Sequence, residues 1–268
     1  MFIRLSSMVL AVIVSFQVGT GQSVSKGTKL DRDSCAKGSP ELSLLIAISN
    51  DDQKCAEGLL KAGLDPNFTL ENKPNSFPLL LAVAEERSEI VTLLLKSGVD
   101  LKRSESVAAF ILSIKFGSSS SINKFLEAGI DVNSSTEDKT SVLMMAAFYG
   151  NFELVTKLIL KGGSLNSFNA KGVNSMMIAA DNPDVVNKLI KAGIDIEFRD
   201  LEGRTAVFYA IEGIQLSKLE ILIERGVKFD LKDKNGVAPI SLARKISDDA
   251  KREQVFSILR KYGVSLSN

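Results

Sequence analysis

Histidine is absent from all 268 residues. Without an imidazole the chain has no Ser-His or Cys-His dyad, no ordinary general base of that kind and not the commonest transition-metal ligand. Cysteine is almost as scarce: Cys35 and Cys55 are the only two, which with no histidine argues against a metal centre or a thiol catalyst. An excess of one charge is missing too. The 33 basic and 32 acidic residues leave a net charge of +1, so no overall field draws nucleic acid or an anionic membrane. Beyond the N-terminal residues no apolar run approaches the roughly 20 residues that a spanning helix needs. Carboxylate chemistry survives these exclusions, but Asp and Glu fall mostly in turns and on polar helix faces, where solvated charge is the ordinary condition.

What is present is repetition. From Ser141, the apolar run Val142-Leu143-Met144-Met145-Ala146-Ala147 is broken at Tyr149-Gly150-Asn151, and Phe152 to Leu160 follows with helical period until Gly162. That predicts helix, tight turn, helix. The closing glycine recurs as Gly63, Gly98, Gly129, Gly162, Gly193, Gly226 and Gly263, at intervals of 31 to 37 residues that average about 33. Seven units are expected, at about 41–63, 77–98, 108–129, 141–162, 174–193, 205–226 and 238–263. In such an array each unit packs on its neighbours, and the terminal units need a polar outer face. The polar stretch before unit 1 suits one cap, and the lengthened last helix with Lys251, Arg252, Glu253 and Gln254 suits the other. Pro78 is placed at the start of its helix, where a missing N–H costs nothing. Unit 3 has a shortened leading loop and a Ser118-Ser119-Ser120-Ser121 run in its inter-helix turn, and unit 5 lacks two residues at Asp181-Asn182-Pro183. Both are expected to be irregular.

The units resemble ankyrin repeats. Gly129-Ile130-Asp131-Val132-Asn133 and Gly63-Leu64-Asp65-Pro66-Asn67 match the family's G-A-D-V-N, while Asp200 to Thr205 and Asp233 to Pro239 match its turn and helix start. The resemblance covers about Glu41 to Leu266. It implies an all-α solenoid of helix-turn-helix units, with long loops and first helices forming a concave face that binds other proteins, and no cofactor. The T-P-L-H histidine of the family is replaced by Leu45, Leu80, Ile111, Met144, Met177, Phe208 and Ser241, and its threonine survives only as Thr205. The hydrogen bonds that usually tie neighbouring repeats are therefore expected to give way to apolar packing.

The N-terminus reads as a secretory signal over residues 1–21: Arg4, an apolar run from Leu5 to Phe16, then the small residues Gly19, Thr20 and Gly21. An uncleaved anchor is the competing reading. Residues 22–40 read as a flexible stretch, ahead of a repeat domain at 41–268 with no membrane span of its own. Export makes Cys35 and Cys55 a candidate disulfide, the alternative being two free thiols. The chain is expected to be a monomer in the periplasm or outside the cell.

Residues whose place in the pattern leaves them free of packing are the candidates for binding. At the ends of first helices these are Lys115, Phe116, Phe148, Tyr149 and Glu212; at the loop tips they are Arg199, Leu201, Glu202, Arg204, Lys232 and Lys234. Exposed aromatics of this kind mark binding hot spots, and rim charges steer encounter; the competing assignment packs Phe116 and Phe148 inward beside shortened neighbours. Expected function is non-catalytic recognition of a partner protein, as an inhibitor, immunity or protective factor. The alternatives are a secreted effector that binds host proteins, an intracellular scaffold if the leader is misread, and a carboxylate-based hydrolase.

Overall fold

The computed structural model describes residues 35, 38–70 and 76–266. The stretch read as a secretory signal, 1–21, and most of the 22–40 stretch lie outside the described residues. Among the described residues there are fourteen α-helices, in two compact units that divide between Glu137 and Asp138.

The first unit holds α1 (Pro40–Ser49), α2 (Gln53–Lys61), α3 (Pro78–Ala84), α4 (Ser88–Lys96), α5 (Ser104–Lys115) and α6 (Ser119–Glu127). First helices stack on first helices, α1 on α3 on α5, and second on second, α2 on α4 on α6. Helices this short are marginal alone, so stacking is what holds them. All of Pro78 to Val83 in α3 is buried, as are Phe110 and Phe125, whose rings pack 5.2 Å apart. Pro78 does stand at the first position of α3.

The second unit holds α7 (Val142–Phe148), α8 (Phe152–Leu160), α9 (Ser175–Ile178), α10 (Pro183–Lys191), α11 (Ala206–Glu212), α12 (Leu216–Glu224), α13 (Pro239–Arg244) and α14 (Asp249–Lys261), stacked in the same alternating way. Each pair ends as the spacing predicts. The seven closing glycines all have left-handed φ, between 70° and 94°, a conformation that lets the last carbonyls be satisfied and that glycine adopts at no steric cost.

Several local expectations need correction. Helix α5 begins at Ser104, not near Ala108: with too few residues for a full loop after Gly98, the chain turns at Asp100 to Arg103, and the Ser106 hydroxyl donates to the Asp100 carbonyl at 2.7 Å. The serine run is not a turn either; Ser118 caps α6, and Ser119 to Ser121 are its first residues. Within a repeat, polar caps persist at the helix starts. Ser141 and Asn174, at the threonine position, accept from the amides of Met144 and Met177 at 3.2 and 3.1 Å, whereas the hydroxyl of Thr205 is buried without a partner. The apolar replacements of the histidine are buried from Leu80 through Phe208, and only Leu45 and Ser241, in the end repeats, are partly exposed. Unit 5 is irregular as expected: α9 has four residues where α7 and α11 have seven.

Cys35 and Cys55 are joined by a disulfide, with Cα atoms 5.6 Å apart. It closes a loop with a sequence separation of 20 and anchors residue 35 to Cys55, buried in the first turn of α2. Among the described residues no helix is long and apolar enough to cross a membrane.

Candidate functional site

The loop tips of the second unit are built by short polar side chains. Asn169, Asp200 and Asp233 stand at matching positions, and each carbonyl or carboxylate oxygen accepts the amides two and four residues on: Lys171 and Val173, Glu202 and Arg204, Asn235 and Val237, all at 2.8–3.1 Å. Such turns fix the backbone without help from the core. Neighbouring tips are then tied main chain to main chain: the amides of Ala170, Leu201 and Lys234 donate to the carbonyls of Asp138, Lys171 and Glu202 at 2.8–3.0 Å. Gly172 permits this approach. Its φ is +74°, and a Cβ there would lie 2.7 Å from the Leu201 amide nitrogen.

On this ladder Leu201 is 57 % exposed, and Arg199, Glu202, Lys232 and Lys234 are exposed with it. The Arg199 guanidinium reaches the Lys232 carbonyl at 3.4 Å. Arg204 does not join them at the rim. Its side chain is only 18 % exposed, pairs with Glu212, and lies over the Tyr209 and Phe208 rings at 4.8 and 5.8 Å. Tyr209 in turn donates to the second carboxylate oxygen of the buried Asp200 at 2.6 Å. Burial, and then the bond to Asp200, hold the phenol above its ordinary range. Arg204 and Glu212, drawn from a loop tip and a first-helix end, are thus brought together, and they brace the tip.

The remaining candidates lie at first-helix ends. In the second unit Phe148 is 37 % exposed and meets Tyr149 edge to face, with ring centres 5.1 Å apart. Tyr149 is half-buried, and burial raises its phenol. In the first unit Lys115 and Phe116 end α5, with Phe116 42 % exposed. The inward packing considered for Phe116 and Phe148 is therefore not what these side chains do.

Sequence reasoning missed two features. Phe168 is exposed on a loop tip and stacks on Phe198, centres 5.8 Å apart; its signal was an aromatic residue at the tip position where the next two repeats have Arg199 and Lys232. The other is Lys218, a wholly buried lysine on α12. Its register was the signal: Lys218 is the third residue of α12, the position at which α4, α8 and α10 bury Ile90, Leu154 and Val185.

Paired short helices in alternating stacks, closed by left-handed glycines and joined by polar hairpin tips, define a helical-repeat protein with a preformed loop surface. The family described as ankyrin repeats (3 copies) matches residues 44–136, 107–200 and 143–233, and the chain belongs to the ankyrin repeat family. Among curated proteins it is similar to the phosphocholine transferase AnkX of Legionella pneumophila, 31 % identical over 48 % of this chain and 14 % of that protein. It is also similar to a putative ankyrin repeat-containing protein of Treponema pallidum, 28 % identical over 52 % of this chain and 48 % of the other. A putative ankyrin repeat protein of Rickettsia felis is 25 % identical over 70 % of this chain and 51 % of its own length. The chain spans about half or less of each of these relatives.

Proposed function

We propose that this chain is an exported binding module that recognises another protein through its loop tips and first-helix ends and has no catalysis of its own. The observation that carries the reading is the contrast at the tips of the second unit. There the backbone is fully tied by side-chain turns and the main-chain ladder, yet Leu201 and Phe168 are left exposed. Holding large apolar groups in water on a rigid frame costs little ordering on association, which favours tight recognition. Phe148 with Tyr149, and Phe116 with Lys115, extend the candidate contacts to first-helix ends, and Arg199, Glu202, Lys232 and Lys234 supply rim charge. The absence of histidine in the sequence supports a non-catalytic role. The Cys35–Cys55 disulfide supports export, because such bonds persist in oxidising compartments; within that compartment an inhibitory, immunity or protective role fits the surface.

The test is affinity capture from the exported fraction with the wild type beside Phe116→Ala/Phe148→Ala/Tyr149→Ala and, separately, Leu201→Asp. Folding of each is verified by circular dichroism. Loss of one captured protein by a folded variant identifies the interface, and that protein names the role. Equal capture by the wild type and both folded variants rejects this surface.

A further inference from the structure

Helix α9 is one turn shorter than the helices on either side of it, and that missing turn has consequences for its carbonyls. After Ile178 the chain leaves the helix at Ala179, with ψ 138°, and the Ala180 amide donates sideways to the Ala147 carbonyl at 3.0 Å. Had the helix continued for another turn, the amides of that turn would have met these carbonyls. Here the following repeat does so. The Lys218 ammonium donates to the Met177 carbonyl at 2.9 Å, to the Ala179 carbonyl at 3.1 Å and to Gln215 Oε1 at 3.0 Å, while Gln215 Nε2 donates to the same Ala179 carbonyl at 3.0 Å. The return tie comes from Asp181, whose carboxylate accepts the Lys218 amide at 2.8 Å, at the start of a helix whose own cap, Gln215, makes no capping bond.

We propose that Lys218 is a proton-linked latch between repeats 5 and 6: the buried amine stands in for the turn that α9 lacks, and the Gln215 amide turns over to match its protonation state. The protonated amine has three hydrogens and finds three acceptors. The neutral amine has two hydrogens and a lone pair. It keeps both main-chain carbonyls and needs one donor, which Gln215 supplies by exchanging its oxygen for its nitrogen. The exchange takes Nε2 from the Ala179 carbonyl and sets Oε1 against that oxygen, so the neutral state gives up the Gln215 bond to repeat 5 and deprotonation loosens the tie between the repeats.

Burial pushes Lys218 down to about 7 from the ordinary 10.5, and Asp181 pulls the other way. Asp181 is the charged group whose field acts on the amine. The other charges on elements packed against α12 are Asp184, Lys188 and Lys191 on α10, Glu212 on α11, held by Arg204, and, on α14, Asp249, Lys251, Arg252, Glu253, Arg260 and Lys261. On α12 itself, Glu220 binds Lys261 and Glu224 binds the Tyr262 hydroxyl. A lysine whose value is lower in the folded chain releases its proton on folding. Stability from this group is therefore missing below about 7, grows from there to 10.5, and is complete above.

The test is a pH titration of the full chain by NMR, following the Lys218 side chain and the Gln215 amide, with Lys218→Met for assignment. The expected result is a Lys218 midpoint near neutrality with the Gln215 amide shifting at the same midpoint. A midpoint above 10, or a Gln215 amide that stays still while Lys218 titrates, overturns the latch. Gln215→Glu should raise the midpoint by a pH unit or more, roughly, since a carboxylate favours the ammonium. Denaturation gives a second reading: between pH 7 and 9 the folded-to-unfolded ratio of the wild type should gain about 50-fold on that of Lys218→Met. Parallel curves would refute the proposal, and if Lys218→Met does not fold, the wild-type titration still decides.

Discussion

In the first unit, long cationic side chains carry much of the tie between successive repeats. Arg87 donates to the carbonyls of Ile48 and Ser49 at the end of α1, Arg103 to the carbonyl of Asn67, and Lys124 to the carbonyl and hydroxyl of Ser88 at 2.7 and 2.8 Å. In the second unit the loop tips are tied main chain to main chain, and the side chains that cross between repeats are of mixed length: Asn182 to the Gly150 carbonyl and Gln215 to that of Ala179, with Lys218 and Arg199 the long cations among them. The difference follows the turn chemistry. Where a loop has Asn or Asp three residues before a glycine, as at Asn169, Asp200 and Asp233, the hairpin forms and its backbone is free to pair. Where the loop is too short, as before α5, the same junction is served by a guanidinium. A repeat array can thus lose its loop motif without losing cohesion, provided a long donor reaches the orphaned carbonyls.

The sharpest way to break the comparison is to reduce the disulfide, which lies wholly in the first unit. Opening a loop of that length should cost about 3 kcal/mol, and the loss should appear in amide exchange of α1 and α2 while α7 to α14 keep their protection. Equal loss in both units would mean that the disulfide stabilises more than its own end. Next is Gly172→Ala. A left-handed alanine facing a backbone amide 2.7 Å away must spread two tips, with an expected cost of about 2–3 kcal/mol, measurable by urea denaturation as a lower midpoint at unchanged slope.

Arg103→Ala makes the matching change in the first unit. It removes the donor to Asn67, leaves Glu105 without its partner at 2.8 Å, and uncovers the Phe77 ring 4.9 Å from the guanidinium. About 2 kcal/mol is expected. The hydrogen bond from Arg103 holds the Glu105 carboxyl below its usual range, so that stabilisation is present above the ordinary carboxylate range and is lost as pH falls through it. The variant should accordingly lose less on acidification than the wild type. Smaller still is Tyr209→Phe, at about 1 kcal/mol for one hydrogen bond to Asp200. Because the Tyr209 value is raised in the folded chain, its contribution is full below the ordinary 10.0 and is lost as pH rises above it; the variant should show a shallower alkaline decline.

The helix pairs and their closing glycines were legible because each is written in local pattern: apolar period and glycine spacing. The loop tips were legible as well, through Asp200 and Asp233. What escaped depends on partners outside the element that carries the residue. Arg204 was placed at the rim because its position faces water in an ideal repeat, but Tyr209 and Glu212 offered it an aromatic face and a carboxylate one helix on. Lys218 is the stronger case. Its place in the repeat, that of the buried Ile90, Leu154 and Val185, marks it for burial, but the acceptors that make a lysine tolerable there, the Met177 and Ala179 carbonyls, come from the preceding repeat. A deletion changes the chemistry required of its neighbour, and single-repeat patterns carry no record of that.

The least disruptive substitution sharpens the comparison from the other side. At the first tip of the second unit, Lys139 occupies the position taken by Gly172, Gly203 and Gly236 in the tips that follow, and it shares their backbone, with φ 62° against 74°, 79° and 75°. A side chain in that conformation costs about 1 kcal/mol, and Lys139→Gly relieves it at the expense of a more flexible unfolded chain. The tip keeps its function in the ladder, since the Asp138 carbonyl already receives the Ala170 amide at 2.8 Å. A net gain of about 0.5 kcal/mol is therefore expected, read as a small rise in the denaturation midpoint. A loss instead would show that the Lys139 side chain makes a contribution at the tip that outweighs its backbone strain, and that this loop is held by more than its turn.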